Sequence, residues 1–136
     1  MIRVAIDTNA YAGFKRGEPE ITEILAAADV IGVSAVVLGE LLGGFAAGNR
    51  AEQNRRELDA FLASSRVRTL LIDRETARWY ARVYAALRAA GRPIPTNDLW
   101  IAACSLQNGL ALVTCDRHFE QIDGLIAGAR LDLFLP

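Results

Sequence analysis

The chain opens with a short apolar run, Ile2 to Ile6, that stops at Asp7. This is the pattern of a central parallel strand buried on both faces, with an acid marking its carboxyl end. Pro19 at a first helical turn, followed by Ile21, Ile24, Leu25 and Ala28, predicts a helix laid on one face of a sheet. Val30 to Val33 returns as a second strand. Ser34 then caps a helix carrying Val37, Leu38, Leu41 and Leu42, and Arg50 to Ala63 gives another with Leu58, Phe61 and Leu62 on one side. These two suit an antiparallel helix pair. Val67 to Ile72 reads as a third strand. Asp73 caps a long helix to about Ala90, stopped by Gly91 and Pro93. Thr96 opens the next helix, which ends at Asn108-Gly109. Leu110 to Val113 is a fourth strand, Asp116 to Gln121 a short helix, and Leu131 to Leu135 a final strand.

Strands alternating with helices imply an α/β fold, a three-layer sandwich with a central, mostly parallel sheet of about five strands flanked by helices. Ligands of such sheets bind beyond the carboxyl ends of the strands. Asp7 follows the first strand at once and Asp116 follows the fourth almost at once, which gives any site an address at that edge. Residues 1–136 fit one domain, with no internal repeat.

Composition narrows the picture. Hydrophobic residues make up 52% and mean hydropathy is +0.20, which points to an ordered chain. Fifteen basic against sixteen acidic residues leave a net charge of −1, so a polyanion must be gripped locally rather than by a global field. All the basic residues but Lys15 are arginines, a bias that GC-rich coding explains as well as phosphate binding does. Cys104 and Cys115 have no metal-spaced partners and read as small reduced core residues. The acid at Asp7 comes too early for a signal peptide. Val30 to Gly48 has bilayer length, but its five glycines and central Glu40 suit a strand followed by a helix, so no membrane association is expected and the expected location is the cytoplasm.

Four acids carry the candidate chemistry: Asp7, Glu40, Asp98 and Asp116. Each has a structural alternative. Asp7 in Asp7-Thr8-Asn9 closes a strand as a cap or turn. Glu40 sits among Leu38, Leu41 and Leu42 with Gly39, Gly43 and Gly44, on a helix that otherwise looks buried, where a carboxylate needs a cation or donors. Asp98 lies in a first helical turn, which favours a carboxylate by about 0.3–1 kcal/mol. Asp116 suits an N-cap. Capping alone does not explain the convergence of all four on one edge. Carboxylates gathered there repel one another, a conflict that a divalent cation removes, and an all-oxygen set without His or Cys selects Mg²⁺ or Mn²⁺ over zinc. Such ions hold a scissile phosphate and activate water. Asn9 and Thr114 are candidate supporting groups that orient a carboxylate, with turn and strand-end hydrogen bonding as their alternatives.

In Asp7-Thr8-Asn9, in Gly39-Glu40-Leu41-Leu42 with Gly44 and Gly48, and in Arg50 with Asn54, Leu58 and Phe61-Leu62, the chain resembles a PIN-domain ribonuclease, more closely a VapC toxin of prokaryotic toxin–antitoxin modules. Ile94-Pro95-Thr96-Asn97-Asp98-Leu99-Trp100-Ile101-Ala102-Ala103 and Thr114 with Asp116 and Phe119 extend the resemblance over nearly the full length. The resemblance implies a Mg²⁺-dependent endoribonuclease, with Mn²⁺ as a possible substitute, acting on RNA. It also implies a homodimer, held inactive by a cognate antitoxin in a heterotetramer or larger assembly. It carries Asp7, Glu40, Asp98 and Asp116 over as metal-binding catalytic acids, with Asn9 and Thr114 in support.

Other readings compete. A phosphotransfer domain with Asp7 as nucleophile wants an acid at position 9 and a late lysine, whereas this chain has Asn9 and only Lys15. A non-catalytic metal- or RNA-binding regulatory domain and a housekeeping RNA-processing nuclease share the same fold. Arg74, Arg78 and Arg82 form a helical stripe that reads as a solvated face, and His118 as an exposed or structural residue. Trp79, Tyr80, Tyr84 and Trp100 read as core or dimer contacts.

Overall fold

The computed structural model describes residues 1–136. Its five strands are β1 (Arg3–Ile6), β2 (Val30–Ser34), β3 (Val67–Leu70), β4 (Ala111–Val113) and β5 (Ala127–Gly128), all paired in parallel in the order β3-β2-β1-β4-β5. Successive strands step outward from β1 to β3, and β4 then returns to the opposite side of β1. The direction in which strands are added therefore reverses between β1 and β4, and the crevice at that switch point lies where Asp7 and Thr114 leave their strands.

Six helices cover the sheet: α1 (Thr8–Lys15), α2 (Pro19–Ala27), α3 (Ala35–Ala47), α4 (Ala51–Leu62), α5 (Arg74–Ala89) and α6 (Thr96–Gln107). Pro19 starts α2, which buries Ile21, Ile24 and Leu25. The Ser34 hydroxyl accepts from the Val37 amide at 3.2 Å and caps α3. Asp73 caps α5 in a reciprocal box with Thr76. The most deeply set helix is α6, with Leu99, Ile101, Ala102, Ala103, Cys104 and Ser105 all buried, so Leu99→Ala would cost about 2–5 kcal/mol. It packs on α5, where Tyr80 lies 4.2 Å from Trp100 between ring centroids. α3 and α4 pack together as expected. No helix is long and apolar enough to cross a membrane.

Several expectations change. α1 was not foreseen. It follows Asp7 directly and buries Ala10, Tyr11 and Gly13, and a Cβ at Gly13 would sit 2.7 Å from Ile21 Cδ1, so the glycine lets α1 and α2 meet closely. The last strand is not Leu131–Leu135. Leu131–Leu133 is a 3₁₀ turn, and β5 is the two-residue Ala127–Gly128. Gly128 explains the shift, because Leu133 folds back over it so closely that a Cβ there would clash. β3 stops at Leu70, since Leu71 and Ile72 are already exposed. The stretch 116–121 is a 3₁₀ turn, Arg117–Gln121, capped by Asp116. α3 is less buried than its composition suggests: only Val37 and Leu41 are enclosed, and Glu40 is exposed. Of the two cysteines only Cys104 is a core residue, its thiol pushed up to about 11 by burial, whereas Cys115 is exposed.

Candidate active site

Asp7 leaves β1 and caps α1, one carboxylate oxygen accepting from the Ala10 amide at 2.8 Å and the other from the Thr114 hydroxyl. The side chain is buried, at 5% exposure. Burial raises its pKa, the two hydrogen bonds pull it back, and the charges of Asp98 and Asp116 push it up further. Thr114 joins two acids, because its oxygen also accepts the Asp116 amide at 2.9 Å. A strand-end threonine thereby fixes Asp7 and the start of the Asp116 turn together.

Asp98 comes from the first turn of α6, whose N-cap is Pro95 and has no side-chain cap. Burial raises its pKa first, then the charge of Asp116; His118 opposes the rise, and Glu40 adds to it. The His118 Nδ1 lies 3.2 Å from Asp116 Oδ1 and 3.6 Å from Asp98 Oδ2. Asp116 Oδ1 also accepts the His118 amide at 2.8 Å. Glu40 enters from α3 and is held at both oxygens, by the Thr8 hydroxyl at 2.5 Å and by the Asn97 amide nitrogen at 3.2 Å.

The four acids thus arrive from β1, α3, α6 and the end of β4; Asp7 feels the charges of Asp98 and Asp116, and Asp98 those of Asp116 and Glu40. Their protons and a cation compete for the same oxygens. The donor set fits a divalent cation: the carboxylates are clustered, Asp7 and Asp98 are both raised by burial and in part by the charges of neighbouring acids, and no Lys or Arg ion pair neutralises them.

A model of the PIN domain matches residues 4–125. The chain belongs to the PIN-domain family. This PIN domain is 30% identical to Ribonuclease VapC5 of Mycobacterium tuberculosis over 88% of the chain and 87% of that protein. It is 36% identical to Ribonuclease VapC4 of the same organism over 65% of the chain and 68% of that protein. Among solved structures, VapBC2 from Rickettsia felis, bound to a DNA fragment from its promoter, superposes with a TM-score of 0.79 at 28% identity, covering 93% of this chain and 97% of that one. The PIN domain is therefore of the VapC kind in sequence and in fold.

Sequence reasoning placed the acids but misread their partners. Asn9 is exposed and bonds to none of the acids, whereas Thr8 beside it holds Glu40. Asn97 was also missed, although its place one residue before Asp98 carried the signal. His118 is exposed as read, and its ring stands against two of the acids, with one ligand atom from each of Asp98, Asp116 and His118 within 4.8 Å of the others. Arg74, Arg78 and Arg82 are exposed along α5 as expected; Arg78 pairs with Glu75, and Arg82 lies 4.8 Å over the Trp79 ring. Beside the acids opens a groove of about 390 Å³ that shares Thr114 and Asp116 with them and continues past Arg117, Gly128 and Arg130. A second groove, about 410 Å³ between α5 and the 117–121 turn, contains none of the acids.

Proposed function

We propose that this PIN domain is a metal-dependent endoribonuclease of the VapC type, the toxin of a toxin–antitoxin pair. The observation that carries this reading is the gathering of Asp7, Glu40, Asp98 and Asp116 at the switch-point edge of a PIN fold whose relatives are named ribonucleases. Asp7, Glu40, Asp98 and Asp116 would hold Mg²⁺, with Mn²⁺ as a substitute. When bound, the ion supplies Lewis acidity that activates a water and offsets charge on the scissile phosphodiester.

The chain's own groups prepare that chemistry. Thr114 and the Ala10 amide keep Asp7 in one orientation, and Thr8 and Asn97 do the same for Glu40, so these two carboxylates are set before any ligand arrives. The α6 N-terminus, without a side-chain cap, leaves amide N–H groups to face a phosphate. Arg117 and Arg130 line the adjoining groove, where their guanidiniums can meet neighbouring phosphates of an RNA strand although their other partners, Glu120 and Asp132, are exposed.

Solved relatives include VapBC complexes, so the proposed partners are RNA as substrate, a cognate antitoxin as inhibitor, and a second copy of the chain in a homodimer within a heterotetramer or larger assembly. Exposed Leu42, Ile72 and Tyr84 provide apolar surface for such contacts. The proposed location is the cytoplasm, and residues 1–136 are proposed to act as one domain.

The test is cleavage of total cellular RNA by purified, antitoxin-free protein with Mg²⁺, with EDTA and with Asp7→Ala. Discrete fragments that need both the ion and Asp7 are expected. Intact RNA under all three conditions would overturn the nuclease reading.

A further inference from the structure

We infer that His118 is a nitrogen ligand of the metal site, forming with Asp98 and Asp116 a mixed set that favours Mn²⁺ over Mg²⁺. The inference rests on the metal-dependent reading above and concerns which ion that site selects. One ligand atom from each of Asp98, Asp116 and His118 lies within 4.8 Å of the others. Ligand atoms around one ion at about 2.0–2.2 Å from it stand roughly 3 Å apart, so a small inward movement of the exposed imidazole and the two half-buried carboxylates completes the set.

The imidazole is held in place from two directions. Its own amide donates to Asp116 Oδ1 at 2.8 Å, and the next residue, Phe119, is completely buried, so the backbone of the 117–121 turn is anchored on both sides of the ring. The ring then reaches back to the same Asp116 oxygen at 3.2 Å and across to Asp98 at 3.6 Å. Arg117 beside it turns away to Glu120, leaving His118 as the only basic side chain paired with either acid. A histidine serving only as a surface residue has no need of this double anchorage. With an ion present, Nδ1 directs its lone pair inward and the ring proton resides on Nε2.

The consequence is selectivity. Mg²⁺ dehydrates reluctantly and keeps water where an imidazole is offered, whereas affinity for nitrogen ligands rises along the first-row series from Mn²⁺ onward. Mn²⁺ accepts both carboxylate oxygen and imidazole nitrogen, and so gains from His118 what Mg²⁺ does not.

The experiment measures Mn²⁺ and Mg²⁺ binding to the full-length, antitoxin-free protein by calorimetry, for the wild type and His118→Ala, together with electron spin-echo envelope modulation of the Mn²⁺-loaded wild type. The expected spectrum shows ¹⁴N coupling from a directly bound imidazole. His118→Ala is expected to lose that coupling and about tenfold or more in Mn²⁺ affinity, since even outer-shell losses cost that much. Its Mg²⁺ affinity should be nearly unchanged. Binding of Mn²⁺ by the wild type without ¹⁴N coupling would overturn the inference, and so would an equal loss of both affinities in the variant. The wild-type spectrum decides the question even if the variant misfolds. Failure of either ion to bind at all would instead overturn the metal-site reading on which the inference stands.

Discussion

Two neighbouring helices carry an aspartate at their N-terminal end, Asp73 as the cap of α5 and Asp98 in the first turn of α6, and the two side chains meet opposite surroundings. Asp73, at the start of α5, accepts from the Thr76 amide and from the Gln107 side-chain amide, each at 3.0 Å. These donors lower its pKa. Asp98, at the start of α6, is partly buried beside Asp116 and Glu40, and its pKa is raised. The first carboxylate is satisfied by the fold; the second is left in a conflict that the fold alone does not relieve. A carboxylate in a first helical turn is chemically ambiguous, and what decides its role is whether donors or other carboxylates surround it.

The sharpest break between the two comes from isosteric removal of charge. Asp98→Asn should reduce RNA cleavage by more than about 10²-fold, the upper range for loss of a supporting group around a metal. Asp73→Asn should leave the cleavage rate of the folded protein close to wild type. Equal losses in the two variants, measured on samples with matching circular dichroism, would erase the distinction. Next in size is Thr114→Val, which strips the hydroxyl from Asp7 and from the Asp116 amide and should weaken Mn²⁺ binding by about 10–100-fold in calorimetry. Unchanged affinity would make Thr114 a packing residue only.

At the α5 pole the effects belong to stability. Thr76 is fully buried, and its hydroxyl donates to Gln107 at 2.5 Å while accepting the Asp73 amide at 3.0 Å. Thr76→Val should therefore lower unfolding stability by about 1–3 kcal/mol, the cost of leaving such partners unpaired, with no selective change in metal binding. A chemical denaturation midpoint equal to wild type would count against the capping network.

The smallest effect has the opposite sign at the α6 pole. For a carboxylate raised in the folded state, the native form binds more protons than the unfolded form. Its contribution to stability therefore falls as pH rises through the window above the ordinary value of 3.8, and the folded, ion-free protein carries that penalty at neutral pH. Removing one charge should relieve it. Chelated Asp98→Asn should melt slightly above wild type at pH 7, and Mn²⁺ should reverse the order. A variant that melts lower under both conditions would show that Asp98 contributes to stability as Asp73 does. Asp73, lowered in the folded state, works the other way and loses its contribution as pH falls below 3.8.

Much of this contrast was legible in the chain. Apolar runs ending in an acid located Asp7 and Asp116 at one sheet edge, and the cap residues Ser34 and Asp73 marked helices where they occur. What failed depended on contacts distant in sequence. Asp7-Thr8-Asn9 reads equally as a helix cap or a turn, and the inward packing of Ala10, Tyr11 and Phe14, with Tyr11 and Phe14 each against Phe61, makes it the start of α1. The alternation over Leu131–Leu135 mimics a strand, and only the fit of Leu133 over Gly128 turns it into a 3₁₀ segment beside a two-residue β5. Thr8 rather than Asn9 reaches the site because the first turn of α1 points it toward Glu40, thirty-two positions away. His118 is exposed, as read, and its nearness to Asp116 is local, whereas its approach to Asp98 depends on tertiary folding.

Anomalous diffraction from Mn²⁺-soaked crystals of the antitoxin-free protein tests the assignment of the two poles most directly. The predicted result is a peak bounded by Asp7, Glu40, Asp98 and Asp116, with no density beside Asp73. A well-occupied site elsewhere together with an empty acidic edge would contradict it.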